Sequence, residues 1–122
     1  MTLLFMVFFH IIDDFYLQGI LASMKQKAWW KKQESYCKLY ENDYITALAT
    51  HAWSWTFMIM LPIAFNLGFT FTPFYLWAFQ ANFVIHAITD HLKANKKKIN
   101  LCIDQSIHLM QILITFLIFC LV

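Results

Sequence analysis

Residues 1–22 read MTLLFMVFFHIIDDFYLQGILA, and the fold turns on the HIIDD at positions 10–14. The flanking residues are almost all apolar, and about 20 such residues cross the hydrocarbon core of a bilayer. A charged side chain at the centre of such a span costs about 2.5–3.5 kcal/mol on insertion scales. His10, Asp13 and Asp14 therefore need partners from elsewhere in the chain.

Composition supports the membrane reading. Of 122 residues, 61% are hydrophobic, 19% aromatic and 13% charged, whereas soluble domains carry about 25% charged residues. Two glycines and two prolines leave little room for linkers, so residues 1–122 read as a single domain. The first stretch lacks a basic n-region, contains two acids and has no convincing cleavage site, so it is expected to be a permanent span rather than a leader. Apolar stretches at about 2–22, 44–66, 72–92 and 99–121 predict an all-α fold: an antiparallel four-helix bundle integral to the membrane. Asn42 or Asp43 is placed to cap the second helix, and Thr72-Pro73 to start the third.

All nine basic residues are lysines. Lys25, Lys27, Lys31, Lys32 and Lys38 lie between the first two stretches, and Lys93, Lys96, Lys97 and Lys98 between the last two. The positive-inside rule then puts both joints in the cytoplasm and both termini on the opposite side. Trp29, Trp30, Tyr36 and Tyr40 among the first lysines imply an interfacial aromatic and basic segment between helices 1 and 2, an anchor or a lid. The later lysines suit anionic lipid, so membrane lipids are the expected partners. Without arginine, the forks usual in base recognition are missing, and no nucleic-acid partner is expected. Cys37, Cys102 and Cys120 show no CxxC spacing and read as small buried hydrophobes.

The polar residues inside the apolar stretches follow helical spacing. His10 and Asp14 lie four apart, with Gln18 continuing the stripe; His86 and Asp90 repeat the pair, with Lys93 beyond; Asp104 and His108 reverse it; His51 stands alone. Residues four apart share a helix face. From the lysine topology these groups fall at similar depth, toward the cytoplasmic side, so four helices can aim them at one spot. Imidazole and carboxylate are ligands for zinc and other divalent ions. His10, Asp14, His51, His86, Asp90 and His108 are therefore the expected metal ligands, for one or two ions, with zinc favoured. Asp104 is expected as ligand or general base, Lys93 to face an anionic phosphate, and Gln18 and Gln105 to orient substrate or ligands. A metal-free polar network or proton relay is the alternative. Asp13 points about 100° away from Asp14 on an α-helix and is left for a neighbouring helix; His91 reads as interfacial, and Gln80 and Asn82 as packing contacts.

These motifs resemble a known family. The order H-x3-D-F-x-L-Q (His10, Asp14, Phe15, Leu17, Gln18), a histidine in the second stretch, H-x3-D-x2-K (His86, Asp90, Lys93) and D-Q-x2-H (Asp104, Gln105, His108) is similar to that of the DUF3307 family. These are short polytopic membrane proteins of bacteria and phages, catalogued as a domain of unknown function. The resemblance covers nearly the whole chain and implies a bacterial inner-membrane location; the longer first joint and Asp13 depart from the pattern. More distantly, the H-x3-D pairs look like those of membrane-bound metal-dependent hydrolases related to phospholipase C and P1-type nucleases. That likeness implies phosphoester hydrolysis on several zinc ions, by analogy alone.

The leading expectation is a membrane-embedded metal-dependent hydrolase acting on a lipid or lipid-linked phosphoester at the cytoplasmic leaflet. A proton or metal-ion transporter is the second class, opposed by the nearly apolar outer halves of the stretches. A small interaction or exclusion protein with a structural metal site is the third. A homo-oligomer is compatible with all three.

Overall fold

The computed structural model describes residues 1–33 and 38–121; Tyr36 and Cys37 lie outside the described residues. Those described residues form helices and connecting turns without a strand. The first apolar stretch begins as α1 (Thr2–Ile12) and continues into one π turn, Asp13–Leu17. A π turn winds less per residue than an α turn, so the adjacent Asp13 and Asp14 both face inward and both are buried.

The helix expected over 2–22 does not run through. It is interrupted before Gly19, which adopts φ +50°, a left-handed conformation that side chains with a Cβ rarely take. Two short helices follow, α2 (Leu21–Met24) and α3 (Lys27–Trp30), separated by an extended Gln26. The remaining helices are α4 (Asp43–Asn66), α5 (Pro73–Ala94) and α6 (Leu101–Cys120). Local chemistry explains two of their starts. Thr72 Oγ1 accepts from the Tyr75 amide at 3.1 Å, with Pro73 in the first turn, and Asn100 Oδ1 accepts from the Ile103 amide at 2.9 Å. Asn42 precedes α4 without a capping hydrogen bond from its side chain.

Helix α4 packs against α1, α2, α5 and α6, and α6 also meets α1 and α5. At one end their shared interior is apolar: Met6, Trp55, Ile59, Met60, Ile63, Ala64, Tyr75 and Ile112. At the other it is filled by histidine and aspartate. The outer surfaces are apolar, as at Phe8, Phe57, Trp77, Ile88 and Ile114. Two helical stretches, Lys38–Asn66 and Leu101–Cys120, are long and apolar enough to cross a membrane. At 11 residues, α1 is shorter than a span. The cysteine expectation fails at Cys102, which is exposed, while Cys120 is half-buried.

The segment between α1 and α4 folds back across the polar end. Trp30 donates its indole N–H to the Met24 carbonyl at 2.7 Å and stacks on Tyr40 at 6.3 Å. Asn95, just after α5, donates to the Lys25 carbonyl at 2.9 Å and accepts from the Lys27 amide at 2.7 Å. One side chain thus ties residues 25–27 to α5.

Candidate metal centre

Six of the expected site residues converge. Asp14 comes from the π turn, His51 from α4, His86 and Asp90 from α5, and Asp104 and His108 from α6; all are buried. They form three overlapping groups that can hold a metal ion: Asp14, His51 and His86; His86, Asp90 and His108; Asp14, Asp104 and His108. Within each group the candidate ligand atoms lie within 4.8 Å of one another.

The spacing suits coordination. His51 Nε2 lies 3.2 Å from Asp14 Oδ1 and 3.3 Å from Asp90 Oδ2, and 3.2 Å from His86 Nε2. On the other side, His108 Nε2 lies 3.6 Å from Asp90 Oδ1 and 3.4 Å from Asp104 Oδ1. Tetrahedral ligands about 2.0–2.1 Å from zinc stand roughly 3.3 Å apart. Asp90 Oδ1, Asp104 Oδ1 and His108 Nε2 have no hydrogen-bond partner. Buried polar atoms are nearly always paired, so these three unpartnered atoms, turned toward one another, mark a place where a cation can be held.

Surrounding groups orient the imidazoles. Gln111 donates its amide N–H to the Asn82 carbonyl and Oδ1 at 3.1 and 3.3 Å. Its Oε1 therefore faces His108 Nδ1, at 3.3 Å. That contact puts a proton on Nδ1, so Nε2, turned toward the two carboxylates, is the nitrogen available to an ion. Asp13 Oδ2 lies behind His51, 3.7 Å from Nδ1, while Ser54 donates to Asp13 Oδ1 at 2.6 Å. A carboxylate or amide behind a ligating histidine is the usual supporting arrangement in metal sites. His86 is clamped between Trp55 and His108, with ring centroids 4.1 and 4.2 Å apart.

His10 takes a different role from the expected ligand. Its Nδ1 accepts from the Trp55 indole at 2.7 Å, and its Nε2 faces Gln105 Oε1 at 3.0 Å. An indole nitrogen only donates, so His10 carries its proton on Nε2 and both nitrogens are occupied. Gln105 in turn donates to Asp14 Oδ2 at 2.7 Å and to Asp104 Oδ2 at 3.1 Å. His10 thus sits outside the three ligand groups and holds Gln105, which holds two candidate ligands. Gln18 also serves Asp14, donating to its carbonyl and, at 3.2 Å, to its Oδ1.

The lysines divide unexpectedly. Lys93 pairs with Asp104 Oδ2 at 2.5 Å, its side chain 29% exposed. Lys25, expected among the outward-facing joint lysines, is buried and reaches Asp90 Oδ2 at 2.5 Å. The inward turn of Lys25 arises from the fold-back that Asn95 secures, and no helical spacing connects residue 25 to residue 90. Trp55 and Gln111 also belong to the site; they fall on the His51 and His108 faces at four and three residues, a spacing visible in the sequence. His91 stacks on Tyr44 at 6.2 Å, away from the cluster. Asn82 does more than pack, binding Thr115 Oγ1 at 2.9 Å as well as Gln111.

The fold and site define an all-helical protein with a buried His/Asp cluster that can hold a metal ion. No protein family, curated protein or solved structure was found to match the chain.

Proposed function

We propose that this protein is a membrane-embedded, metal-dependent hydrolase of lipid or lipid-linked phosphoesters. In this reading α1, α4, α5 and α6 form an antiparallel four-helix bundle in a bacterial inner membrane, with the motif order of the DUF3307 proteins. The polar end lies toward the cytoplasmic leaflet, and the termini lie opposite. The distribution of residues supports the membrane setting: four aspartates and four histidines are inside, while large apolar side chains are exposed along α1, α4, α5 and α6. Water would reward the reverse arrangement.

The observation that carries the metal reading is the unpartnered set Asp90 Oδ1, Asp104 Oδ1 and His108 Nε2. Charge supports it. Asp13, Asp14, Asp90 and Asp104 are opposed by Lys25 and Lys93, so with neutral imidazoles four negative charges meet two positive ones. One divalent ion, zinc being the favoured choice for this donor set, cancels the remaining two. Held by these residues, such an ion would lower the pKa of a coordinated water to about 7 and polarise a phosphoryl oxygen.

The chain's own residues supply the rest. Gln18 and Gln105 are half-buried. Gln18 Oε1, which has no hydrogen-bond partner, is free to orient a substrate arriving sideways from the bilayer, while Gln105, engaged by His10, Asp14 and Asp104, orients the ligands. Lys93 is the partly exposed cation of the site. Asp104, held by both Lys93 and Gln105, is placed as ligand or base.

The near-complete burial of the cluster favours one other reading, a closed structural metal site in a small interaction protein. Reconstitution into vesicles with a panel of phospholipids and lipid phosphates separates them. The hydrolase reading expects phosphate or headgroup release that stops with chelator and returns with zinc. A melting temperature that falls with chelator, without release from any substrate, would overturn it in favour of the structural site.

A further inference from the structure

We propose that the cluster is a binuclear centre bridged by Asp90, and that the Lys25 ammonium stands in for one of its two ions. This rests on the metal reading above and extends it to ion number and to the part played by the fold-back segment.

Two sets of ligand atoms can be drawn from the three overlapping groups. His51 Nε2, His86 Nε2, Asp14 Oδ1 and Asp90 Oδ2 form the first, with separations from His51 of 3.2, 3.2 and 3.3 Å. His108 Nε2, Asp90 Oδ1 and Asp104 Oδ1 form the second, at 3.6 and 3.4 Å from His108. The sets share no atom. They share one residue, Asp90, whose two oxygens serve opposite sides, and a carboxylate used this way holds two ions together. Each set also has its own support, Asp13 behind His51 and Gln111 behind His108.

The two sets are not in the same state. Every atom of the second set lacks a hydrogen-bond partner. In the first, Asp90 Oδ2 already holds a cation, the Lys25 ammonium at 2.5 Å. That lysine is buried at 5% exposure, on a segment that leaves α1 at the left-handed Gly19 and turns again at the extended Gln26. An ion entering the first set takes over the charge that Lys25 neutralises, and the ammonium withdraws along its segment. With two divalent ions in place and Lys25 withdrawn, four carboxylates and Lys93 leave one net positive charge. An anionic phosphoryl group complements that charge, and two-metal centres of this kind clamp attacking and leaving oxygens.

The test loads the full chain, in lipid nanodiscs, with Zn(II) or Mn(II). Elemental analysis is expected to find two ions per chain, and the Mn(II) form to give the resonance spectrum of a spin-coupled pair. His51→Ala and His108→Ala should each retain one uncoupled ion. Lys25→Met should keep two ions and bind the first-set ion more tightly, within the about 5–150-fold range of coupled sites. A single ion per saturated wild-type chain, or uncoupled spins, would overturn the binuclear centre even if lipid phosphate is hydrolysed. Unchanged or weaker binding in Lys25→Met would overturn the stand-in role. Two coupled ions without hydrolysis of any lipid would uphold this inference and remove only the enzyme reading.

Discussion

The two ends of the helix packing are equally buried and held together by different means. Around Met6, Ile59, Met60 and Ile63, the attraction is dispersion between apolar side chains, each pair small and the whole large. Around His51, Asp90 and His108 the same helices approach through lone pairs, ion pairs and a few amides. Trp55 joins the ends: its ring belongs to the apolar core and covers His86, while its N–H fixes His10. The difference shows that burial alone says little about robustness. Truncating an apolar side chain leaves a cavity, whereas removing a charge strands its buried partner.

Removing the shared carboxylate should therefore produce the largest effect. Asp90→Ala leaves Lys25 buried without its partner, and breaking a buried pair from one side typically costs about 3–5 kcal/mol. Unfolding in detergent should show that loss, and Lys25→Met added to it should recover a good part. If the double variant melts no higher than Asp90→Ala alone, the Lys25 pair is not what the variant broke. Ile59→Ala tests the other end. Large-to-small core changes cost about 2–5 kcal/mol, yet metal content should be unchanged, because Ile59 belongs to the apolar cluster and supplies no ligand atom or hydrogen bond to the polar end. Loss of metal in Ile59→Ala would show that the two ends are not independent.

Smaller effects probe the supports. Gln111→Leu removes the acceptor facing His108 Nδ1 and should lower metal affinity about 10–100-fold, the usual size for such partners, with a modest change in melting. Equal affinity to wild type, measured by competition with a chelating dye, would dismiss the tautomer assignment of His108. His91→Ala should be the mildest, within about 0.5 kcal/mol, with full metal content; a metal loss there would widen the site beyond the buried cluster.

Much of the site was legible one helix at a time. The pairs His86 with Asp90 and Asp104 with His108 follow from spacing on α5 and α6, and His51 and Asp14 from their depth. His10 lies on the expected face but supports Gln105 instead of ligating, because the indole and amide that occupy its nitrogens come from α4 and α6. Asp13 could not be read from α-helical geometry, since a π turn carries it inward beside Asp14.

What the sequence by itself determined is local. The limits of α4, α5 and α6 lie within two residues of the apolar stretches at 44–66, 72–92 and 99–121, because apolar runs and end residues act over neighbouring turns. The pairing of histidine with aspartate on two helices has the same origin. Only the tertiary structure decided which lone pairs meet across helices, that Asp90 divides its oxygens between two sets, and that Lys25 returns to the interior. Those outcomes depend on the rotation of each helix against the others and on a loop closed by Asn95, 70 residues from the carbonyl it holds.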